Sequence, residues 1–232
     1  MKTALVTGAG RGLGKGFTEV LLDRGFLVFA GVKNVSVSHL QKHHNLKIVP
    51  LDVTSDKSIR MAVKIISKEA KHLDYLINNA GINKDTATNG HKEIVCELVK
   101  LDRKTLLKMF DVNTISPMMV LKITLPLLAK DESFVINISS NRASLSDVND
   151  NGNYGYRASK AALNIMTLSS LLDLPKKVKT FAIHPGDVKT DMNPTGKNSP
   201  YRQAEKIIAI TKKWKDDYNG RFLRIDGTLY SN

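Results

Sequence analysis

The chain has 232 residues, 42% of them apolar, which suffices for one large α/β domain with a real core and excludes global disorder. A single cysteine, Cys96, excludes an intramolecular disulfide and suits a reducing cytoplasm, and no run approaches the ~18 consecutive apolar residues of a membrane span. The formal charge of +13 is spread along the chain, and its densest cluster, Lys212-Lys213-Trp214-Lys215, is followed at once by Asp216 and Asp217. That pattern is a solvated lysine-rich surface and not a specific nucleic-acid site.

Apolar runs alternate with helix-like segments throughout, the pattern of a parallel sheet covered by helices. Strands are predicted near 2–7, 26–31, 46–51, 74–78, 133–138, 178–183 and 221–225. Helices are predicted near 13–24, 36–43, 55–71, 103–129, 154–174 and 201–215. Residues 1–7 read as a buried first strand, because Gly8 ends the apolar run far too early for a signal sequence. No repeat or linker divides 1–232, so one domain is expected. The irregular stretches 79–100, 140–153 and 185–200 all follow strands and should gather at the carboxyl edge of the sheet, where open α/β sheets bind ligands.

The first turn reads Thr7-Gly8-Ala9-Gly10-Arg11-Gly12-Leu13-Gly14. It follows a strand and opens a helix, the context in which glycines let a backbone approach a pyrophosphate at a helix N-terminus. The second strand is expected to choose the cofactor. From Phe26 to Leu51 there is no Asp or Glu, whereas Lys33 lies just past the strand and Arg11 lies in the glycine loop. Two cations and no carboxylate favour the 2′-phosphate of NADP(H) over the free ribose hydroxyls of NAD(H). Asp52-Val53 ends the third strand, to flank an adenine, to cap the helix near Ser55, or both. Asn78-Asn79-Ala80-Gly81 ends the fourth with small residues over which a cofactor can pass.

Asn113 lies inside a long apolar helix, and Pro117, four residues later, cannot donate to its carbonyl. The helix is therefore expected to be irregular there, with a carbonyl free to hold a water. Ser139 and Ser140 follow the fifth strand, where a hydroxyl can hydrogen-bond a substrate carbonyl; Ser144 and Ser146 are rivals on the same loop. Tyr156 and Lys160 lie one turn apart on the next helix, so the ammonium is expected to lower the phenol pKa and make a proton donor or acceptor of it. Pro185-Gly186 turns sharply after the sixth strand, setting Val188 against a nicotinamide and Thr190 at its amide or a phosphate. His184 reads as a structural strand-end residue. His39, His43 and His44 lack a ligand arrangement, so no metal site is expected.

In this order and spacing, the residues resemble the short-chain dehydrogenase/reductase (SDR) family. The resemblance spans residues 3 to about 191, and Tyr156-Arg-Ala-Ser-Lys-Ala-Ala-Leu-Asn164 is most similar to the C-factor and sniffer-type carbonyl reductases. It implies a Rossmann fold with a seven-stranded parallel sheet. It also implies Tyr156 as general acid/base, Lys160 as its tuning partner and ribose ligand, Asn113 as holder of a water, and Ser140 as the carbonyl-polarising hydroxyl. Gly8, Gly12 and Gly14 would line the pyrophosphate site, Asn79, Ala80 and Gly81 would pass over a ribose, and Thr190 would touch the nicotinamide end. The family's serine usually lies about 13 residues before the tyrosine. Ser140 lies 16 before it, which implies a three-residue insertion in the 141–153 loop. The short segment 187–200 implies an open substrate pocket, and the family a homodimer or homotetramer packed through the helices near 103–129 and 154–174. The expected activity is NADP(H)-dependent reduction of a ketone or aldehyde, or the reverse oxidation of an alcohol. The alternative is a nucleotide-binding signalling protein of C-factor type.

Overall fold

A computed structural model describes residues 1–38, 40–83, 98, 101–128, 131–146, 148 and 152–230. Seven parallel strands form one sheet: β1 (Thr3–Thr7), β2 (Leu27–Val32), β3 (Leu46–Pro50), β4 (Tyr75–Asn78), β5 (Ser133–Ile138), β6 (Val178–Ile183) and β7 (Phe222–Leu223). They lie in the order β3-β2-β1-β4-β5-β6-β7, so the first strand is central and the order reverses between β1 and β4. In register, Val6 faces Ala30 on one side and Ile77 on the other. The sheet is the helix-covered parallel one that the alternating pattern implied, and the fold is the Rossmann type that the family resemblance implied.

Successive side chains on a strand point to opposite faces, and the two cores divide accordingly. Ala4, Val6, Ile77 and Ile136 face one layer with Phe17, Leu21 and Ile207, which belong to helices α1 (Gly12–Asp23) and α6 (Pro200–Lys212). Leu5, Phe29, Leu76 and Val135 face the other with Ile59, Ile66 and Leu128, from α2 (Asp56–Glu69) and α4 (Ser116–Leu128). Central strands covered on both faces need unbroken apolar sequence, and Thr3–Thr7 is buried at every position. Helix starts follow their caps: Ser55 accepts from Ser58 N–H, Asp102 from Lys104 and Thr105 N–H, and Ser199 from Arg202 N–H with Pro200 next.

Three predicted elements differ. The helix expected at 36–43 is a single 3₁₀ turn, Val35–Val37, held by the Asn34 side chain; residues 40–43 are irregular. Its serines favour local side-chain bonds over helix, and its β-branched valines are stiff at χ1 and lower helix propensity. The 103–129 helix is three pieces: α3 (Arg103–Phe110), a π-helical turn Asp111–Ile115, and α4. Pro117 has no N–H for the Asn113 carbonyl, and the ladder widens so that Ser116 N–H reaches back to Asp111. The last strand is two residues instead of five. Helix α5 (Tyr154–Ser169) ends in a 3₁₀ turn, Ser170–Leu172. Cys96, His39 and most of 84–100 lie outside the described residues.

Candidate active site

The glycine loop lies against the end of β4. Thr7 Oγ1 accepts from Asn79 N–H (3.0 Å) and Ala80 N–H (3.1 Å), and Asn79 Nδ2 donates to the carbonyls of Thr7 (3.0 Å) and Gly8 (3.2 Å). That lattice requires Gly8 at φ 63°, where a Cβ would stand 3.0 Å from Ala80 Cα, and Gly14, whose Cβ would stand 2.2 Å from the Gly8 carbonyl. Gly12, at φ 52°, faces Thr190 from the loop after β6. Arg11 is the residue that caps α1, so the helix's unpaired N–H groups open beside it.

Past β2, Lys33 Nζ lies 2.7 Å from Asp52 Oδ2, and Asp52 Oδ1 also accepts from Thr54 N–H and Oγ1–H. Burial raises the Asp52 pKa, but the Lys33 and Thr54 hydrogen bonds outweigh it, so the carboxylate titrates below its ordinary value. Arg11 pairs with Asp191 at 3.0 Å across the mouth of the site. Lys33, Arg11 and Asp191 are largely exposed, so both pairs contribute little to stability and exchange readily for another anion.

The π-helical turn delivers Asn113. Its side chain accepts from Ile82 N–H (2.9 Å) and donates to the Ile82 carbonyl (2.8 Å) and Ser159 Oγ (3.1 Å). A Cβ on Gly81 would lie 3.3 Å from Asn113 Oδ1 and 3.6 Å from Lys160 Nζ, so both groups crowd one side of that glycine. Lys160 Nζ donates to the Ile138 carbonyl at 2.6 Å. The side chain is buried, which pushes its pKa down to about 8.

Tyr156, one turn earlier on α5, meets the end of β5. Burial pushes its phenol up, while a hydrogen bond with the Ser140 side chain and the charge of Arg142 pull it down, and the net shift is upward. This corrects the expectation that Lys160 lowers the Tyr156 pKa: the ammonium lies 6.0 Å from the ring centroid, and the cation acting on the phenol is Arg142. Of the four loop serines, Ser140 is the one beside the phenol. Ser144 and Ser146 bond each other at 2.9 Å. Ser139, with its N–H on the Ile183 carbonyl, is buried at the cleft wall.

These strand ends enclose a cleft of about 850 Å³. Gly8, Arg11, Gly12, Leu13, Lys33, Asp52, Val53, Asn79, Ala80, Gly81, Ser140, Tyr156, Lys160, Pro185, Gly186, Val188 and Thr190 all line it. Thr7, Gly10, Gly14 and Asn113 do not. They are buried behind the wall and act on the lining residues, Gly10 by packing on Val32 and the others through the contacts above. His184 also lines the cleft, edge-on to Tyr230. Among the described residues no group of three His, Cys, Asp or Glu could hold a metal ion, and no helix is long and apolar enough to cross a membrane.

The family profile described as short chain dehydrogenase matches residues 2–199. The chain belongs to that family. The carbonyl reductase Sniffer of D. melanogaster superposes with a TM-score of 0.90 at 29% identity, covering 100% of this chain and 99% of that one. The NADPH-bound carbonyl reductase from chicken fatty liver superposes at 0.88, also at 29% identity and with the same coverage. An uncharacterized oxidoreductase of Schizosaccharomyces pombe is 30% identical over 98% of this chain and 97% of its own.

For this short-chain dehydrogenase the motif residues converge as their order implied, and the structure adds groups no motif marks. The Ile138 carbonyl anchors Lys160, Ser159 anchors Asn113, and Arg142 reaches the cleft from the Asn141–Ala143 turn. Backbone carbonyls carry no sequence signal. Arg142 carried only its place two residues after Ser140.

Proposed function

We propose that this protein is an NADP(H)-dependent carbonyl reductase, reducing a ketone or aldehyde with Tyr156 as general acid/base, Ser140 as carbonyl donor, Lys160 as their charged neighbour and Asn113 as support. The observation that carries the reading is that Ser140, Tyr156 and Lys160 line the same glycine-floored cleft.

The residues fit the cofactor. Gly8 and Gly12 lack the Cβ atoms that would fill the loop, and the start of α1 offers N–H groups to a pyrophosphate. Lys33 and Arg11 suit the 2′-phosphate, and Asp52, already neutralised by Lys33, is a poor acceptor for the ribose hydroxyls of NAD(H). Val53 would flank the adenine, Asn79, Ala80 and Gly81 the adenosine ribose, and Pro185, Gly186, Val188 and Thr190 the nicotinamide; all line the cleft. The NADPH in the chicken liver carbonyl reductase supports the same choice. Bound there, NADPH supplies the hydride.

The chain's own residues do the rest. Ser140 and Tyr156 donate hydrogen bonds to the carbonyl oxygen, stabilising the charge that forms on it. The phenol is protonated at neutral pH, as a donor in the reducing direction must be, although burial alone makes it a weaker acid. The Lys160 ammonium, still mostly charged below pH 8, would hold the nicotinamide ribose. Asn113 fixes the wall at Ile82 and, on the family's pattern, holds a water linking Lys160 to solvent. Residues 187–200 form the short substrate loop of one domain, and a second copy packs on α4 and α5. Tyr156→Phe tests the mechanism. We expect NADPH-dependent turnover of a ketone panel to fall about 10²–10⁴-fold with NADPH affinity kept; undiminished turnover overturns the assignment.

A further inference from the structure

Gln203 is a polar side chain where packing asks for none. It lies on the inner face of α6, 2% exposed, on the side of the helix that carries the core residues Ala204 and Ile207. Its Oε1 is fully buried, and among the described residues nothing donates to it. A buried acceptor without a donor costs free energy that an apolar side chain of similar size does not. The amide lies against the turn after β6: a Cβ on Gly186, which has φ 77°, would stand 2.6 Å from Gln203 Nε2. That turn carries donors of its own. His184 N–H pairs with the Leu223 carbonyl and Val188 N–H with the Gly186 carbonyl, but among the described residues neither the Gly186 nor the Asp187 N–H has an acceptor. The start of α6 is fixed: Ser199 caps it, and a Cβ on Gly16 of α1 would stand 2.5 Å from the Pro200 backbone, so the two helices meet at backbone contact.

We propose that Gln203 is a positioning residue for the nicotinamide end of the cleft: its carboxamide holds the Gly186 turn in place when the cofactor is bound, with Oε1 taking the Gly186 or the Asp187 N–H. The inference rests on the reading of this cleft as an NADP(H) site and adds a residue that stands behind its wall. One acceptor and two donors lie unpaired on either side of one backbone contact. Pairing them as the turn settles on α6 recovers their cost in the loaded protein alone, and that difference between the two states adds to affinity for whatever rests on the turn. It also sets a direction that a packing role lacks. Removing the amide relieves the protein without cofactor and weakens the complex.

The test measures stability and binding separately on wild type, Gln203→Met and Gln203→Glu. The ligands, titrated by calorimetry, are NADPH and 2′-phospho-ADP-ribose, which keeps the adenosine end and the pyrophosphate but has no nicotinamide. Gln203→Met fills a similar space without an amide. We expect its denaturant midpoint to hold or rise, its Kd for NADPH to rise about tenfold, and its Kd for 2′-phospho-ADP-ribose to stay at the wild-type value. Gln203→Glu keeps an acceptor in the same place but buries a carboxyl group, so we expect the opposite pattern, a lower midpoint with most of the NADPH affinity kept. Three results in Gln203→Met overturn the inference while leaving the cofactor reading standing: an unchanged Kd for NADPH, a weaker Kd that comes with a lower midpoint, or an equal loss of both ligands. A wild type that binds neither ligand overturns both.

Discussion

Lys160 shows how much a single buried group can say about pH. Its ordinary pKa of 10.5 falls to about 8 because the ammonium is removed from water, with one carbonyl as its recorded hydrogen-bond partner. A lysine whose pKa is lower folded than unfolded costs stability while it is charged in both states, and the cost is relieved as pH rises. Between pH 8 and 10.5 the unfolded chain binds the extra proton, so this residue makes stability increase with pH by up to about 1.4 kcal/mol per unit. Lys160→Met has no such proton. We expect denaturant midpoints of the Met variant to exceed those of wild type most near neutral pH, and the gap to narrow steadily above pH 8. A gap that is flat from pH 7 to 10 would show that Lys160 is solvated. The same burial explains why the sequence misled about Tyr156: the spacing of the pair was readable, but the balance between burial, Ser140 and Arg142 depends on which groups β5 and its loop bring to the phenol.

At the scale of elements, the glycine loop is a fitted joint and not a flexible link. A methyl at position 14 meets backbone, the Gly8 carbonyl, and the Asn79 amide at 2.5 Å; neither can retreat without breaking the lattice on Thr7. Gly14→Ala should cost about 1–3 kcal/mol and lower NADPH affinity more than tenfold. Gly25 is the control. It has φ 74° but nothing within 4 Å of its would-be Cβ, so Gly25→Ala should cost about 1–2 kcal/mol of backbone strain and leave NADPH affinity unchanged. Equal affinities in the two variants would refute the joint. The glycine spacing after a strand made this loop legible, and Pro117 made the break at Asn113 legible. The 36–43 segment was not, because its apolar spacing suits a helix while its serines and valines do not. The polar chain behind the site was illegible too: Asn78 donates to Asn137 (2.9 Å), which donates to Thr167 (3.0 Å), tying β4, β5 and α5 together inside the core. Such a ladder is visible only once the strand order is known, since its members lie 59 and 30 residues apart.

At the scale of the whole molecule, α5 leaves apolar side chains that the fold does not cover. Ile115, Ile165, Met166 and Leu168 are exposed on the π-helical turn and α5, and exposed apolar surface there favours association. Light scattering of the eluted protein should give at least twice the 25.7 kDa of one chain, and Ile165→Asp should shift it toward that mass. A monomer at micromolar concentration would remove the proposed pairing through α4 and α5.

The position of β1 has a consequence for how the protein is made. Thr3–Thr7 is synthesised before both of its sheet neighbours, yet it lies between them inside the sheet. β2 closes one of its edges by Val32, but the other waits for Tyr75–Asn78. At ~5–20 residues per second the 42 residues between Val32 and Tyr75 leave a bare strand edge open for roughly 2–8 s on the ribosome. An unpaired strand edge is a template for any passing chain. A segment buried at every position in the finished fold is thus open to mispairing while it is being built.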